Sequence, residues 1–275
     1  MIEKPLSSWS EYLEEVRCLA RACRDRRPPP LFRGLARSGW HLETTLERFY
    51  QDEHSDLDRS FLQYYRKAAA CKSAVEMLTG RRWEHVPDYG ELKEMVGEGD
   101  PDRLTSILTS QEEIYEFLLY LRHHGFPSPL LDWTASPYVA AFFAFHAAVT
   151  SEADRVRVYA FVRGRSGGVF SSERQLIYVG PYGRSHARHL YQQSSYTMCV
   201  EKQPADYLIQ GHHDEVMTDA AREDGMVLQF TIPVAERLEA LKDLELMNLN
   251  AFSLFGSEDS LVNTLARREF IFRSR

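Results

Sequence analysis

No apolar run in this chain is long enough to span a bilayer. The longest, Tyr138 to Val149, falls far short of the roughly 20 residues required. The N-terminus also lacks the basic-then-apolar pattern of an export signal. Cysteine is scarce: Cys18, Cys23, Cys71 and Cys199 show no C-x-x-C spacing. That argues against a disulfide frame or a zinc knot and for free buried thiols in a reducing compartment. A soluble cytoplasmic protein is therefore expected. There is no surplus of positive charge. The net charge of −7 argues against non-specific attraction to a phosphate backbone. No G-x-x-x-x-G-K-[ST] loop, no G-x-G-x-x-G after a strand and no H-E-x-x-H is present, and no metal is expected.

One stretch stands out, His123 to Phe145. Asp132, Thr134 and Ser136 form a polar knot between two apolar runs. Ser136 before Pro137 reads as an N-cap with proline at the first helical position. The helix that follows is apolar on nearly every side and should be buried. Its start would offer backbone N–H groups to a ligand phosphate or carboxylate.

Before that stretch the pattern is helical. Ser8 to Glu11 has capping-box spacing and predicts a helix to about Arg26, stopped by Pro28, Pro29 and Pro30. Leu31-Phe32-Arg33-Gly34 then reads as a short strand with an unusual arginine. Arg33 is either an edge-strand surface residue or a cleft residue that clamps an anion, with Gly34 letting the backbone approach a ligand. Trp40, Leu42 and Leu46 read as core anchors. Thr44 to Glu47 and Ser110 to Glu113 repeat the capping-box spacing. An amphipathic helix is expected over Asp56 to Thr79, and the helix after Ser110 should end at Gly125.

After it, strands dominate. They are expected at Val156–Val162, Leu176–Tyr178, around Tyr196, Met198 and Val200, at Met226–Ile232 and at Phe270–Phe272. Arg163 to Gly168 reads as a turn, and the polar tract from Gln210 to Glu223 as a solvent loop. Arg184, His186, Arg188 and His189 form a small basic cluster. Helices first and strands second predict an α+β fold.

The words Phe32-Arg33-Gly34, Trp40-x-Leu42-x-Thr44-x-Leu46-x-Arg48, His123-x-Gly125-x-Pro127, Leu130-Leu131-Asp132-Trp133-Thr134-x-Ser136-Pro137 and Gln192-Gln193-Ser194-x-Tyr196-Thr197 resemble the FRG domain family. That family in turn is similar in pattern to the ADP-ribosyltransferase superfamily. The resemblance implies a helical N-terminal half on a mostly antiparallel, ADP-ribosyltransferase-like β core. Residues 1–28 would be a helical extension and 29–275 a single FRG domain with a helical insertion at about 50–124. Two departures stand out. Arg122 occupies the position of a usual glutamine, and Pro129 that of a usual arginine, which implies that Asp132 or the ligand has lost a partner.

The resemblance also implies NAD as substrate. Arg33, Thr134, Ser136, Gln193 and Glu201 would be catalytic. Phe32, Gly34, His123, Asp132, Trp133 and Gln192 would bind the ligand. The expected activity is cleavage of NAD, with ADP-ribose passing to water or to a protein or nucleic-acid acceptor, in a bacterial or phage-borne toxin or defence effector. The alternative is a nucleotide or nucleic-acid binding module without turnover. It is favoured by the absence of a strong motif for a catalytic glutamate.

Overall fold

The computed structural model describes residues 1–25, 28–53, 59–97, 101–148, 154–163, 169–170, 174–180, 187–202, 208–210, 213–220 and 226–273. Nine strands among them form one sheet: β1 (Ile2–Pro5), β2 (Leu31–Leu35), β3 (Leu131–Thr134), β4 (Arg155–Val162), β5 (Val169–Phe170), β6 (Arg174–Val179), β7 (Ser194–Lys202), β8 (Leu208–Gln210) and β9 (Met226–Pro233). Their order is β1-β9-β4-β2-β3-β7-β6-β5, with β8 also on β7. The pairing of β1 with β9 is parallel and every other pairing is antiparallel. The fold is thus mixed α and β around a mostly antiparallel sheet.

The helices are α1 (Trp9–Ala22), α2 (Thr45–Asp52), α3 (Phe61–Ala70), α4 (Lys72–Thr79), α5 (Tyr89–Val96), α6 (Pro101–Ser110), α7 (Glu112–His123), α8 (Pro137–Ala147), α9 (Ala187–Tyr191), α10 (His213–Ala220), α11 (Arg237–Leu246), α12 (Ala251–Phe255) and α13 (Glu258–Arg267). None of them is long and apolar enough to cross a membrane. Local chemistry explains several starts. Ser8 accepts from Glu11 N, Thr44 and Glu47 form a reciprocal capping box, and Ser136 caps α8 with Pro137 at its first position.

Cross-strand partners share a sheet face, so the register shows where the cores lie. Phe32 pairs with Thr134, Thr134 with Ser194, and Asp132 with Tyr196. Phe32 belongs to a core made with α1, α8 and α11, including Trp9, Tyr12, Phe145 and Phe230. Tyr196 belongs to a second core on the same face, made with α3 to α7, including Phe61, Tyr65 and Phe117. A third core covers the opposite face, with Leu31, Trp133, Tyr159 and Phe161 under Val216 and Met217 of α10. The two cores of the first face flank the line where β2 meets β3. That meeting is a single pair, Phe32 with Thr134.

Residues 1–22 join this sheet and its main core through β1, Trp9 and Tyr12. Several local expectations are corrected. Trp40 is 44% exposed, whereas Leu42 and Leu46 are buried as core anchors. The segment over Asp56–Thr79, of which 56–58 lie outside the described residues, is broken at Cys71 into α3 and α4. Ser110 does not cap α7. It ends α6, its hydroxyl donating to Ser106 O at 2.6 Å, and Gln111 stands at the N-cap without a side-chain bond. The tract expected as a solvent loop contains α10, because Val216 and Met217 dock on the sheet. Phe270–Phe272 is part of a π-helical turn, Arg268–Phe272, that continues α13. Cys18 is exposed, while Cys23 and Cys199 are buried thiols. Of the expected turn, 164–168, and of the basic cluster, Arg184 and His186, lie outside the described residues.

Candidate functional site

A cavity of about 410 Å³ opens over the seam between β2 and β3. Phe32, Arg33 and Gly34 come from β2, and Asp132, Trp133 and Thr134 from β3. α8 adds Ala140, Phe143 and Ala147, α7 adds Arg122 and His123, and α2 adds Thr45 and Arg48. Trp40, Arg188, Gln192 and Phe255 also line the walls. Four arginines face one carboxylate in a protein whose net charge is −7. This is the polarity of an anion site.

Arg33 is not on an edge strand, since β2 lies between β4 and β3. The ladder with β3 ends after one pair, and the opening leaves room for the guanidinium. Its Nη1 donates to the backbone oxygen of Asp132 at 2.8 Å and lies 3.7 Å from Asp132 Oδ2. Its Nε is buried without an acceptor. Burial lowers its pKa to about 10, with Asp132 opposing and the like charges of Arg122 and Arg48 adding to the fall. Arg33 stays charged at neutral pH, in a setting that a bound anion would relieve.

Asp132 has a partner after all. Arg122 donates from Nε to Oδ1 at 2.8 Å and from Nη2 to Oδ2, a bidentate pair. Nη1 of Arg122 donates to Thr45 Oγ1 at 2.9 Å, tying α7 to α2. The arginine missing at Pro129 is thereby replaced, in this role, by one from the preceding helix. Burial pushes the Asp132 carboxyl up, but the charge and hydrogen bonds of Arg122, helped by Arg33 and His123, hold it below the usual carboxylate range.

Gly34 lines the cavity and is also needed for packing. A Cβ there would sit 1.9 Å from the backbone oxygen of Ala140, so α8 lies directly on the strand. His123 lines the cavity with Nε2 3.4 Å from Tyr196 Oη. Thr134 donates to the backbone oxygen of Gln192 at 2.7 Å and accepts from Ser136 N at 3.1 Å, so its hydroxyl braces the turn into α8. Gln192 donates to Leu254 O at 3.0 Å. The indole of Trp133 is buried, its N–H donating to Thr197 Oγ1 at 2.8 Å.

Three expected members do not line this cavity. Ser136 caps α8 through Val139 N, and the cavity meets the flank of that helix rather than its start. Gln193 takes a left-handed backbone, φ 48°, and its carbonyl accepts from Ala135 N. Glu201 pairs with Arg174 at 3.2 Å, and Arg174 also binds Glu215. Conversely, Arg48, Arg122, Arg188, Trp40, Phe143 and Phe255 line the cavity without having been assigned to it. Arg48 and Trp40 stand in a family word, Arg122 stands beside His123, and Arg188 belongs to the basic cluster; these are the signals the sequence offers. Among the described residues no group of His, Cys, Asp and Glu is arranged to hold a metal ion.

A family model of the FRG domain matches residues 29–153. This match supports the FRG likeness over that segment. It covers β2, β3, α7 and α8, the elements that build most of the cavity. No curated protein and no solved structure matches the chain.

Proposed function

We propose that the cleft binds a nucleotide carrying a pyrophosphate, NAD being the ligand the family likeness favours. The observation that carries this reading is Arg33. Its guanidinium is sunk between two strands, its Nε lacks an acceptor, and three further arginines line the same cavity. A cavity of about 410 Å³ falls in the range of small-molecule sites. Arginine is suited to phosphate because its planar fork donates two parallel bonds. An ADP-ribosyltransferase-like core, a cytoplasmic setting and a role as a toxin or defence effector accord with this proposal.

In an NAD-cleaving reaction the bond between ribose C1′ and nicotinamide nitrogen breaks and its electron pair leaves with nicotinamide. Water or a side chain of an acceptor then attacks the oxocarbenium carbon and loses a proton. An anion or polar oxygen near that carbon favours the transition state. One observation favours binding without turnover. Asp132, the carboxylate among the lining residues, is already engaged by Arg122 through both oxygens, and Glu201 and Gln193 lie outside the lining.

Calorimetry of the wild type and of Arg33→Ala with NAD tests the proposal. Loss of one charge-assisted contact, worth about 1.5–3 kcal/mol, should weaken binding roughly ten- to a hundredfold. Equal affinities, or no binding by the wild type, would overturn it. Nicotinamide release by the wild type decides between turnover and binding alone.

A further inference from the structure

The chain has four tryptophans, and three behave as such residues usually do: Trp9, Trp83 and Trp133 are 0%, 3% and 2% exposed. Trp40 is 44% exposed and lines the cavity. Leu42, two residues on, is 1% exposed, so the segment is anchored while its indole faces outward. The guanidinium of Arg37 lies over the Trp40 ring, 5.2 Å from its centroid. Another wall of the cavity repeats the pairing: Arg188 lies 5.7 Å from the centroid of Phe255, which meets Phe143 edge-on at 5.9 Å. The buried guanidiniums are elsewhere. The side chains of Arg33 and Arg122 are 14% and 7% exposed, which places them deep in the cavity, whereas Arg48 is exposed.

Burial therefore places the guanidiniums of Arg33 and Arg122 deep in the cavity with Phe32 and Trp133, and leaves Trp40 as the exposed aromatic of the mouth, beside Arg48. A flat, π-faced group would gain by covering an exposed indole, and a phosphate would not. From this arrangement we propose that Trp40 is the base-stacking platform of the site. The ligand is a nucleoside diphosphate or a larger molecule containing one, held with its pyrophosphate on Arg33 and its base outward against the indole. The inference rests on the nucleotide reading above and adds to it an orientation and a specificity residue.

Trp40 alone of the four tryptophans is exposed, so intrinsic fluorescence can report on it. ADP and inorganic pyrophosphate are each titrated into the wild type, Trp40→Ala and Trp40→Phe, with fluorescence and calorimetry read in parallel. ADP should quench the wild-type emission, and pyrophosphate should bind without comparable quenching. Trp40→Ala should lose about tenfold or more in affinity for ADP and almost nothing for pyrophosphate. Trp40→Phe, which keeps a ring, should recover most of that loss. Equal ADP affinity in the wild type and Trp40→Ala would overturn the platform while leaving the nucleotide reading intact. An equal loss for ADP and pyrophosphate would also overturn it. If neither probe binds the wild type, both fail together.

Discussion

Arg122 and Asp132 are joined through both carboxylate oxygens, although they come from a helix and a strand on either side of a loop. The pair fixes α7 against β3, and Thr45 extends it to α2. Arg122 is nearly buried, while the Asp132 side chain is 44% exposed toward the cleft. Solvent therefore screens part of the attraction.

Arg122→Ala should destabilise the fold by about 2 kcal/mol, the range for a charge-assisted hydrogen-bonded contact discounted for that exposure. Urea denaturation would measure it. A midpoint equal to that of the wild type would mean that the pair contributes nothing to stability.

Gly34→Ala should be among the most damaging single-methyl changes in the chain. The new carbon would meet Ala140 O at 1.9 Å, against backbone that cannot swing aside. Overpacking of this kind costs about 1–3 kcal/mol or more. Gly39→Ala, with nothing within 4 Å, is the matched control and should melt like the wild type. Comparable melting temperatures for the two variants would contradict the close approach of α8 to β2.

His146 supplies a pH dependence. Burial, then the charges of Arg267 and Arg237, lower its pKa to about 4 in the folded chain. The unfolded chain takes up the proton first, near pH 6.5. Stability from this group is therefore complete above pH 6.5 and falls as the pH drops toward 4. Melting curves across that window should show a smaller fall for His146→Phe, whose ring can keep the stack on Phe142. Parallel curves would refute the assignment.

Glu201→Ala should leave NAD affinity unchanged, because its carboxylate serves Arg174 outside the cavity. Arg48→Ala should weaken binding and make it less sensitive to salt, since an exposed cation acts through a screened field. Calorimetry at two ionic strengths checks both.

Much of the scaffold was legible in the chain. Ser136-Pro137 marked the start of α8, and the unbroken apolar character of Val139 to Phe145 marked its burial. The capping boxes worked where the serine or threonine was outside a helix, as at Thr44. They misled at Ser110, whose hydroxyl was already used by α6. β3 was harder to see. It has four residues, and Asp132 and Thr134 look like turn residues until their partners across the sheet are known.

The candidate site was legible only in part. Arg33, Asp132 and His123 meet in one cavity, as the words of the chain suggested. Ser136 and Gln193 stand next to lining residues but are turned to local backbone bonds, a distinction that spacing alone does not carry. Arg122 escaped notice as a partner because a contact between a helix end and a strand depends on tertiary packing.

The lone rung between Phe32 and Thr134 gives the sheet a line of mechanical weakness. On one side β2 is zipped to β4 over five residue pairs, and on the other β3 is zipped to β7 over four. Thermal fluctuations should part the two blocks there before they disrupt either block. Amide hydrogen exchange would then be faster at Gly34 and Trp133 than at Val158 or Phe230. Arg33 already reaches Asp132 across that line, and a molecule held by both blocks would add to this tie, slow the breathing and make the two blocks unfold as one.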